Sequence, residues 1–132
     1  MPSIHYCLKS ATGLVLFLFA LTANAGTFEN YSSERLAELN AQGRPVLVEV
    51  YADWCSTCRR QSPLLEEMLA EADFSDLTAL KLDWDEQRDQ AKALGAPRQS
   101  TLILFRNGEA LDLSIAETNP DRLREFLRQA LN

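Results

Sequence analysis

The chain has 132 residues, which is enough for one domain. Its hydrophobic fraction of 46% and charged fraction of 24% are those of a folded domain rather than a disordered one. A formal net charge of −6 and the lack of a basic patch argue against nucleic-acid binding.

The first 25 residues have the pattern of a secretory signal. The apolar run over residues 11–20 follows Lys9 and is too short to cross a bilayer as a helix, which needs about 20 residues. Ala23-Asn24-Ala25 then places small residues at the two positions that a signal peptidase recognises. We therefore expect a signal peptide over residues 1–25 and an exported domain over residues 26–132. An uncleaved N-terminal membrane anchor is the alternative.

Cleavage would leave a domain with very few groups for nucleophilic or metal chemistry. It would remove His5, Cys7 and Lys9, so the formal net charge would go from −6 to −7 and no histidine would remain. The absence of histidine excludes Ser-His and Cys-His catalysis and His-ligated metal sites in the mature domain. Zinc needs four ligands, and Cys55 and Cys58 have no second ligand pair. We expect neither a metal nor another cofactor.

Helical and strand patterns alternate along residues 26–132. Leucines at helical spacing and a Gly-Pro stop predict helices, whereas a near-continuous apolar run predicts a strand that is buried on both faces. In chain order the pattern predicts a helix over 31–43, a strand over Val46–Tyr51, a helix over 55–72 kinked at Pro63, a strand over 77–84, a helix over 85–94, strands over 101–105 and 110–115 joined by an Asn107-Gly108 turn, and a final helix from Asn119-Pro120. This order predicts an α/β fold, with a central mixed β-sheet and helices on both faces.

Cys55 and Cys58 stand where the buried strand gives way to a helix. Two cysteines separated by two residues can close a small disulfide across the first helical turn, and the helix N-terminus stabilises a thiolate there. Cys55 is therefore the candidate nucleophile, ionising below the reference pKa of about 8.5, and Cys58 the resolving thiol. A purely structural disulfide is the alternative, although so short a loop gives little stabilisation.

This part of the sequence resembles the thioredoxin family, and the resemblance covers nearly all of the mature chain. The matching positions, in order and spacing, are the active-site segment Ala52-Asp53-Trp54-Cys55-x-x-Cys58, an acid at Glu49, a helix-kinking proline at Pro63, Lys81, Asp85 and the hairpin over 101–109. The resemblance implies the thioredoxin fold and dithiol–disulfide exchange with protein substrates. It also implies that Trp54, Ser100 and Thr101 contact the substrate, with a plain core role as the alternative for Trp54.

Two departures from the family pattern affect the site. The residues between the cysteines are Ser56-Thr57 rather than the Gly-Pro of cytosolic thioredoxins or the Pro-His of strong exported oxidants. The family's cis-proline falls on Ser100. A cis bond before serine costs about 2.5–4 kcal/mol, so we expect a trans Gln99–Ser100 bond and a shifted loop. The Ser100 hydroxyl and N–H would then lie near Cys55 and hydrogen-bond its thiolate.

Glu49 lies within the apolar strand, between Val48 and Val50. Strand alternation places it on the same face as Leu47 and Tyr51. We expect a buried carboxyl whose pKa is raised by desolvation and which relays protons to and from Cys58. A glutamate facing solvent at a sheet edge is the alternative.

The leading hypothesis is an exported, monomeric thiol–disulfide oxidoreductase in an oxidising compartment, most simply a bacterial periplasm. There it would act as a reductant or isomerase. An exposed dithiol is oxidised in such surroundings, so it would need electrons from inside the cell. The exported relatives that it resembles receive them from a membrane-embedded electron donor. The competing hypothesis is a thioredoxin-fold binding or holding module whose cysteines stay oxidised. Ser100, in place of the family's cis-proline, is the feature that supports this alternative. A metal-handling protein is the third, and the lack of histidine counts against it.

The processing hypothesis predicts one mature N-terminus. Cleavage after Ala25 should give an exported protein that begins at Gly26. Intact mass spectrometry of the exported form measures this directly, and a mass that retains residues 1–25 would contradict it.

Overall fold

The computed structural model describes residues 27–132. The predicted signal peptide and its cleavage site therefore lie outside the described residues. Within residues 27–132, no helix is long and apolar enough to cross a membrane.

The described chain contains five strands and four helices. They are β1 (Glu29–Asn30), α1 (Ser33–Ala41), β2 (Val46–Tyr51), α2 (Ser56–Leu69), β3 (Thr78–Asp83), α3 (Arg88–Ala93), β4 (Thr101–Arg106), β5 (Glu109–Ile115) and α4 (Pro120–Arg128). Short 3-10 helices follow α2 and α4, at Ala72–Phe74 and Gln129–Leu131.

The strands form one mixed sheet in the order β1-β3-β2-β4-β5. β2 lies at its centre, parallel to β3 and antiparallel to β4, and β5 closes the far edge antiparallel to β4. One apolar cluster packs Leu36 of α1 and Ala91 of α3 on one face of the sheet. A second packs Leu65 of α2 and Leu123 of α4 on the other. The predicted α/β class, with a mixed sheet covered on both faces, is confirmed.

The central strand has the predicted bounds because it carries the clearest pattern in the chain. All residues of β2 except Tyr51 are buried, as its near-continuous apolar run predicts for a strand between two helical layers. Successive side chains alternate between the layers, so Leu47 belongs to the α2–α4 side and Val48 to the α1–α3 side. Because β2 leads directly into α2, its end fixes the position of the cysteine pair.

The predicted helix over 85–94 is shorter in the structure, since α3 starts only at Arg88. A carboxylate oxygen of Asp83 accepts hydrogen bonds from the backbone N–H groups of Asp85 (2.8 Å) and Glu86 (3.1 Å). Such a bond offers the backbone a turn in place of a helix, which delays the start of α3. The helix predicted over 55–72 likewise ends earlier, at Leu69. β1 was not predicted, because two residues are too few to show a period.

The predicted hairpin is present, and its turn has the expected backbone. Asn107 and Gly108 have φ of +51° and +81°, the left-handed pair that a tight two-residue hairpin turn requires. The turn joins β4 to β5, and antiparallel pairing of β4 with β2 positions the start of β4. Ser100, immediately before β4, is thereby held next to the end of β2, where its N–H donates to the Val50 carbonyl oxygen at 2.8 Å.

Candidate active site

Cys55 caps the N-terminus of α2 and forms a disulfide with Cys58, with a Cα–Cα separation of 5.2 Å. The backbone N–H of Cys58 donates to the Cys55 sulfur at 3.1 Å. Cys55 is 4% exposed and Cys58 is fully buried, so only Cys55 presents any surface to a partner. A helix N-terminus and a backbone donor both favour negative charge on the sulfur that they face. The geometry therefore favours Cys55 as the attacking thiolate after reduction.

Ser100 is packed against this disulfide. Its hydroxyl oxygen lies 3.0 Å from the Cys55 sulfur and 3.2 Å from the Cys58 sulfur, and the residue is fully buried. All peptide bonds in residues 27–132 are trans, which confirms the predicted trans Gln99–Ser100 bond. The hydroxyl lies near Cys55, as expected. The expectation for the N–H was wrong, because it is taken up by the Val50 carbonyl oxygen.

Trp54 and Thr101, the other two predicted substrate-contacting residues, have very different settings. Trp54 is 57% exposed beside the cysteine pair, and its indole N–H donates to a carboxylate oxygen of Asp85 at 2.8 Å. This exposure excludes the alternative core role. Thr101 is fully buried, and its hydroxyl donates to the Arg98 carbonyl oxygen at 2.6 Å. Its side chain orders the loop before β4, whereas Trp54 offers an exposed aromatic surface.

Glu49 is fully buried on β2, so the alternative of a solvent-facing glutamate is excluded. The Ser62 hydroxyl donates to Oε1, and Oε2 has no hydrogen-bond partner among the described residues. The Lys81 ammonium lies 3.6 Å from Oε2 and is held between the Phe28 and Tyr51 rings, at 4.6 and 4.7 Å from their centroids. The carboxyl is therefore enclosed by one hydroxyl and one partly exposed cation.

Burial raises the pKa of Glu49 above its ordinary value of 4.5, although the Ser62 hydroxyl and the Lys81 charge oppose this rise. Such a carboxyl holds its proton more tightly than an exposed one, which favours its use as a proton acceptor in a relay. Ser62 lies four residues after Cys58 on α2, so the two side chains share one helix face. Glu49 thus contacts the helix face that carries the resolving cysteine.

Comparison with known proteins identifies the family. The Thioredoxin family profile matches residues 26–129. The chain belongs to the thioredoxin family. It is 36% identical to a thioredoxin of Chlamydia muridarum over 73% of this chain and 91% of that protein. It is also 36% identical to a thioredoxin of Alicyclobacillus acidocaldarius, over 67% and 83%.

Solved structures agree with this assignment. Trxlp of Edwardsiella tarda is similar with a TM-score of 0.74 and 42% identity, over 76% of this chain and 98% of that one. Family membership, together with the Cys55–Cys58 disulfide, identifies the chain as a thiol–disulfide oxidoreductase. No cluster of histidine, cysteine and carboxylate side chains within residues 27–132 is arranged to hold a metal ion.

Two features of this thioredoxin-family site were not found from the sequence. The Ser62 bond to Glu49 was missed, although Ser62 stands four residues after Cys58 and that spacing puts it on the inward face of α2. The contact of Ser100 with Cys58, in addition to Cys55, depends on a φ of +63° at Ser100, which no local pattern indicates.

The raised pKa of Glu49 predicts how stability depends on pH. The folded state holds this proton more tightly than the unfolded state, so the contribution of Glu49 is complete below pH 4.5 and is lost as pH rises through the raised pKa. Glu49→Gln should remove this loss, and the oxidised variant should therefore gain stability over wild type as pH rises above 4.5. Urea unfolding of the oxidised proteins at pH values below and above 4.5 measures the difference.

Glu66→Gln is the matched control for this experiment. Glu66 also faces Lys81, at 3.9 Å, but its side chain is 51% exposed. Its charge is the smallest of the influences on the pKa of Glu49, so Glu66→Gln should change the pH profile of stability much less than Glu49→Gln does. A Glu49→Gln profile that is parallel to that of wild type would show that burial does not perturb this carboxyl.

Proposed function

We propose that the protein is an exported oxidoreductase that reduces or isomerises disulfides of partner proteins through Cys55 and Cys58. The observation that carries the proposal is the position of Cys55 at the start of α2, where its sulfur accepts the Cys58 N–H. The exposed Trp54 beside it gives a partner protein an aromatic surface to contact.

The exchange proceeds in two steps. The Cys55 thiolate attacks one sulfur of the partner's disulfide, which forms a mixed disulfide and releases the other sulfur as a thiolate that takes up a proton. Cys58 then loses its proton and attacks the Cys55 sulfur, which restores the disulfide seen here and releases the second partner thiol. Two electrons pass from the protein to the partner in each cycle. Glu49 accepts the Cys58 proton, because its carboxyl contacts Ser62 on the face of α2 that carries Cys58.

The residues between the cysteines support the reducing direction. Strong oxidants of this kind owe their potential to a reduced form with a highly stabilised thiolate. Here Ser56 and Thr57 carry no charge, and no basic residue precedes Arg59 in α2. The oxidised form must be reduced again after each cycle, and a membrane-embedded electron donor meets this need for an exported protein.

Export is supported by the sequence pattern of residues 1–25, with an uncleaved anchor as the alternative arrangement. In either case the domain would face an oxidising compartment, where proteins with disulfides are available as substrates. Cleavage or retention of the first 25 residues does not alter the chemistry proposed for the cysteine pair.

Insulin reduction with dithiothreitol as electron source tests the activity. The wild-type domain should accelerate precipitation of the insulin chains, and a Cys55→Ser, Cys58→Ser double variant should give only the uncatalysed rate. The Cys58→Ser single variant should accumulate mixed disulfides with partners, because the first step proceeds and the second cannot. Cys55→Ser should accumulate few.

Wild-type protein that leaves the insulin rate unchanged would support a holding module in place of an enzyme. Equal trapping by the two single variants would overturn the assigned order of attack, since each cysteine would then serve as nucleophile. Both assays use the folded domain, whose oxidised and reduced states are checked beforehand by mass after alkylation.

A further inference from the structure

We propose that the Ser100 hydroxyl is a catalytic residue shared by the two sulfurs: in the reduced pair it donates to the Cys55 thiolate and accepts the Cys58 S–H. The inference rests on the exchange chemistry of the proposed function and names the group that sets its energetics. A proline at this position, as in the family pattern, offers neither a hydroxyl nor an N–H.

The contact geometry supports a shared hydroxyl. Ser100 Oγ is 3.0 Å from one sulfur and 3.2 Å from the other, so the sulfurs are within hydrogen-bond reach on both sides. The residue is fully buried, and the two sulfurs are the only partners of this hydroxyl among the described residues. A hydroxyl has one proton to donate and lone pairs to accept, which matches one thiolate and one thiol.

In the oxidised form, the Ser100 hydroxyl has no strong hydrogen-bond acceptor. Disulfide sulfurs are weak acceptors, and a buried donor without a good acceptor is costly. Reduction converts the Cys55 sulfur into an anion, and hydrogen bonds to ionised acceptors are about twice as strong as neutral ones. The hydroxyl therefore stabilises the reduced thiolate form more than the disulfide form, and so raises the reduction potential above that of the same site without it.

The backbone holds Ser100 in a single position. Its N–H donates to the Val50 carbonyl oxygen at 2.8 Å, and its carbonyl accepts the Ala116 N–H at 2.9 Å. These bonds tie the residue to the end of β2 and to the end of β5. Its φ of +63° is a left-handed conformation that a non-glycine residue rarely adopts, and it brings the short side chain under the disulfide. The hydroxyl needs no rearrangement to reach either sulfur.

The Cys55 thiolate would then have two donors, the Cys58 N–H and the Ser100 hydroxyl. During resolution the hydroxyl keeps its own proton. The Cys58 S–H proton leaves to Glu49, the new Cys55–Cys58 bond forms, and the partner's sulfur departs with the electron pair of the broken bond. The Ser100 hydroxyl releases its bond to Cys58 as that thiol loses its proton.

Two variants test the proposal. Ser100→Ala removes the hydroxyl and keeps the Cβ, whereas Ser100→Gly removes both and relieves the left-handed backbone. In each variant, the pH at the titration midpoint of Cys55 should rise by about one pH unit. The ultraviolet absorbance of the thiolate, measured against a Cys55→Ser reference, follows this titration. Where Cys55 is ionised in both proteins, the dithiol should become tenfold more reducing, about 30 mV lower in potential.

The pair of variants separates the hydroxyl from the backbone. Equal shifts in Ser100→Ala and Ser100→Gly support the proposal. Unchanged midpoints and potentials in both overturn it, and so does a shift in Ser100→Ala that Ser100→Gly lacks, since that is a backbone effect. These readouts need no protein partner, so they remain decisive even if wild type fails to reduce insulin, an outcome that would count against the proposed function alone.

Discussion

The hydrogen bond from the Cys58 N–H to the Cys55 sulfur is the contact on which this site depends. It exists because β2 ends at Tyr51 and α2 begins at Ser56, which leaves Cys55 as the residue that caps the helix. A cap with a polar side chain satisfies a backbone donor that would otherwise have no partner. Here the capping atom is the reacting sulfur, so the requirements of helix formation and of thiolate chemistry are met by one contact.

Glu49 shows how the same fold tolerates an acid in its centre. The carboxyl lies on a strand with helices on both sides, where an uncompensated charge would be strongly disfavoured. The Ser62 hydroxyl and the partly exposed Lys81 ammonium limit that penalty without removing it, because burial still raises the pKa of Glu49. A carboxylate whose charge was fully compensated by a cation would accept a proton only weakly, and one without polar neighbours would release its proton only with difficulty. The observed surroundings lie between these limits.

The sequence predicted those parts of the fold that depend on one strong local signal. The apolar run of β2, the Asn107-Gly108 turn and the Cys55–Cys58 spacing each determine a conformation by themselves, and each was found with correct or nearly correct bounds. Burial of Glu49 was predicted because its neighbours on the strand are apolar. α3 was overpredicted because the competing bonds of Asp83 to the backbone are visible only once the chain is folded.

The remaining details of the site depend on residues that are distant in sequence. Ser100 meets the cysteines only because β4 is paired with β2, and its contact with both sulfurs depends on a backbone angle that serine rarely adopts. Nothing in the local sequence indicates a role for Ser62, and its role is seen only when the fold places it beside Glu49. The family resemblance placed Ser100 near Cys55, but it gave no guidance on the contact with Cys58, because this chain departs from the family pattern there.

The reduction potential of the Cys55–Cys58 couple tests the central claim, that this pair is built to give electrons to partner disulfides. Equilibration of the wild-type domain with dithiothreitol or glutathione buffers, followed by alkylation and mass measurement, gives the value. The account predicts a reducing couple, closer to the roughly −270 mV of thioredoxin than to the roughly −120 mV of a strong periplasmic oxidant. A value near the oxidising end would contradict it, because the pair would then take electrons from its partners.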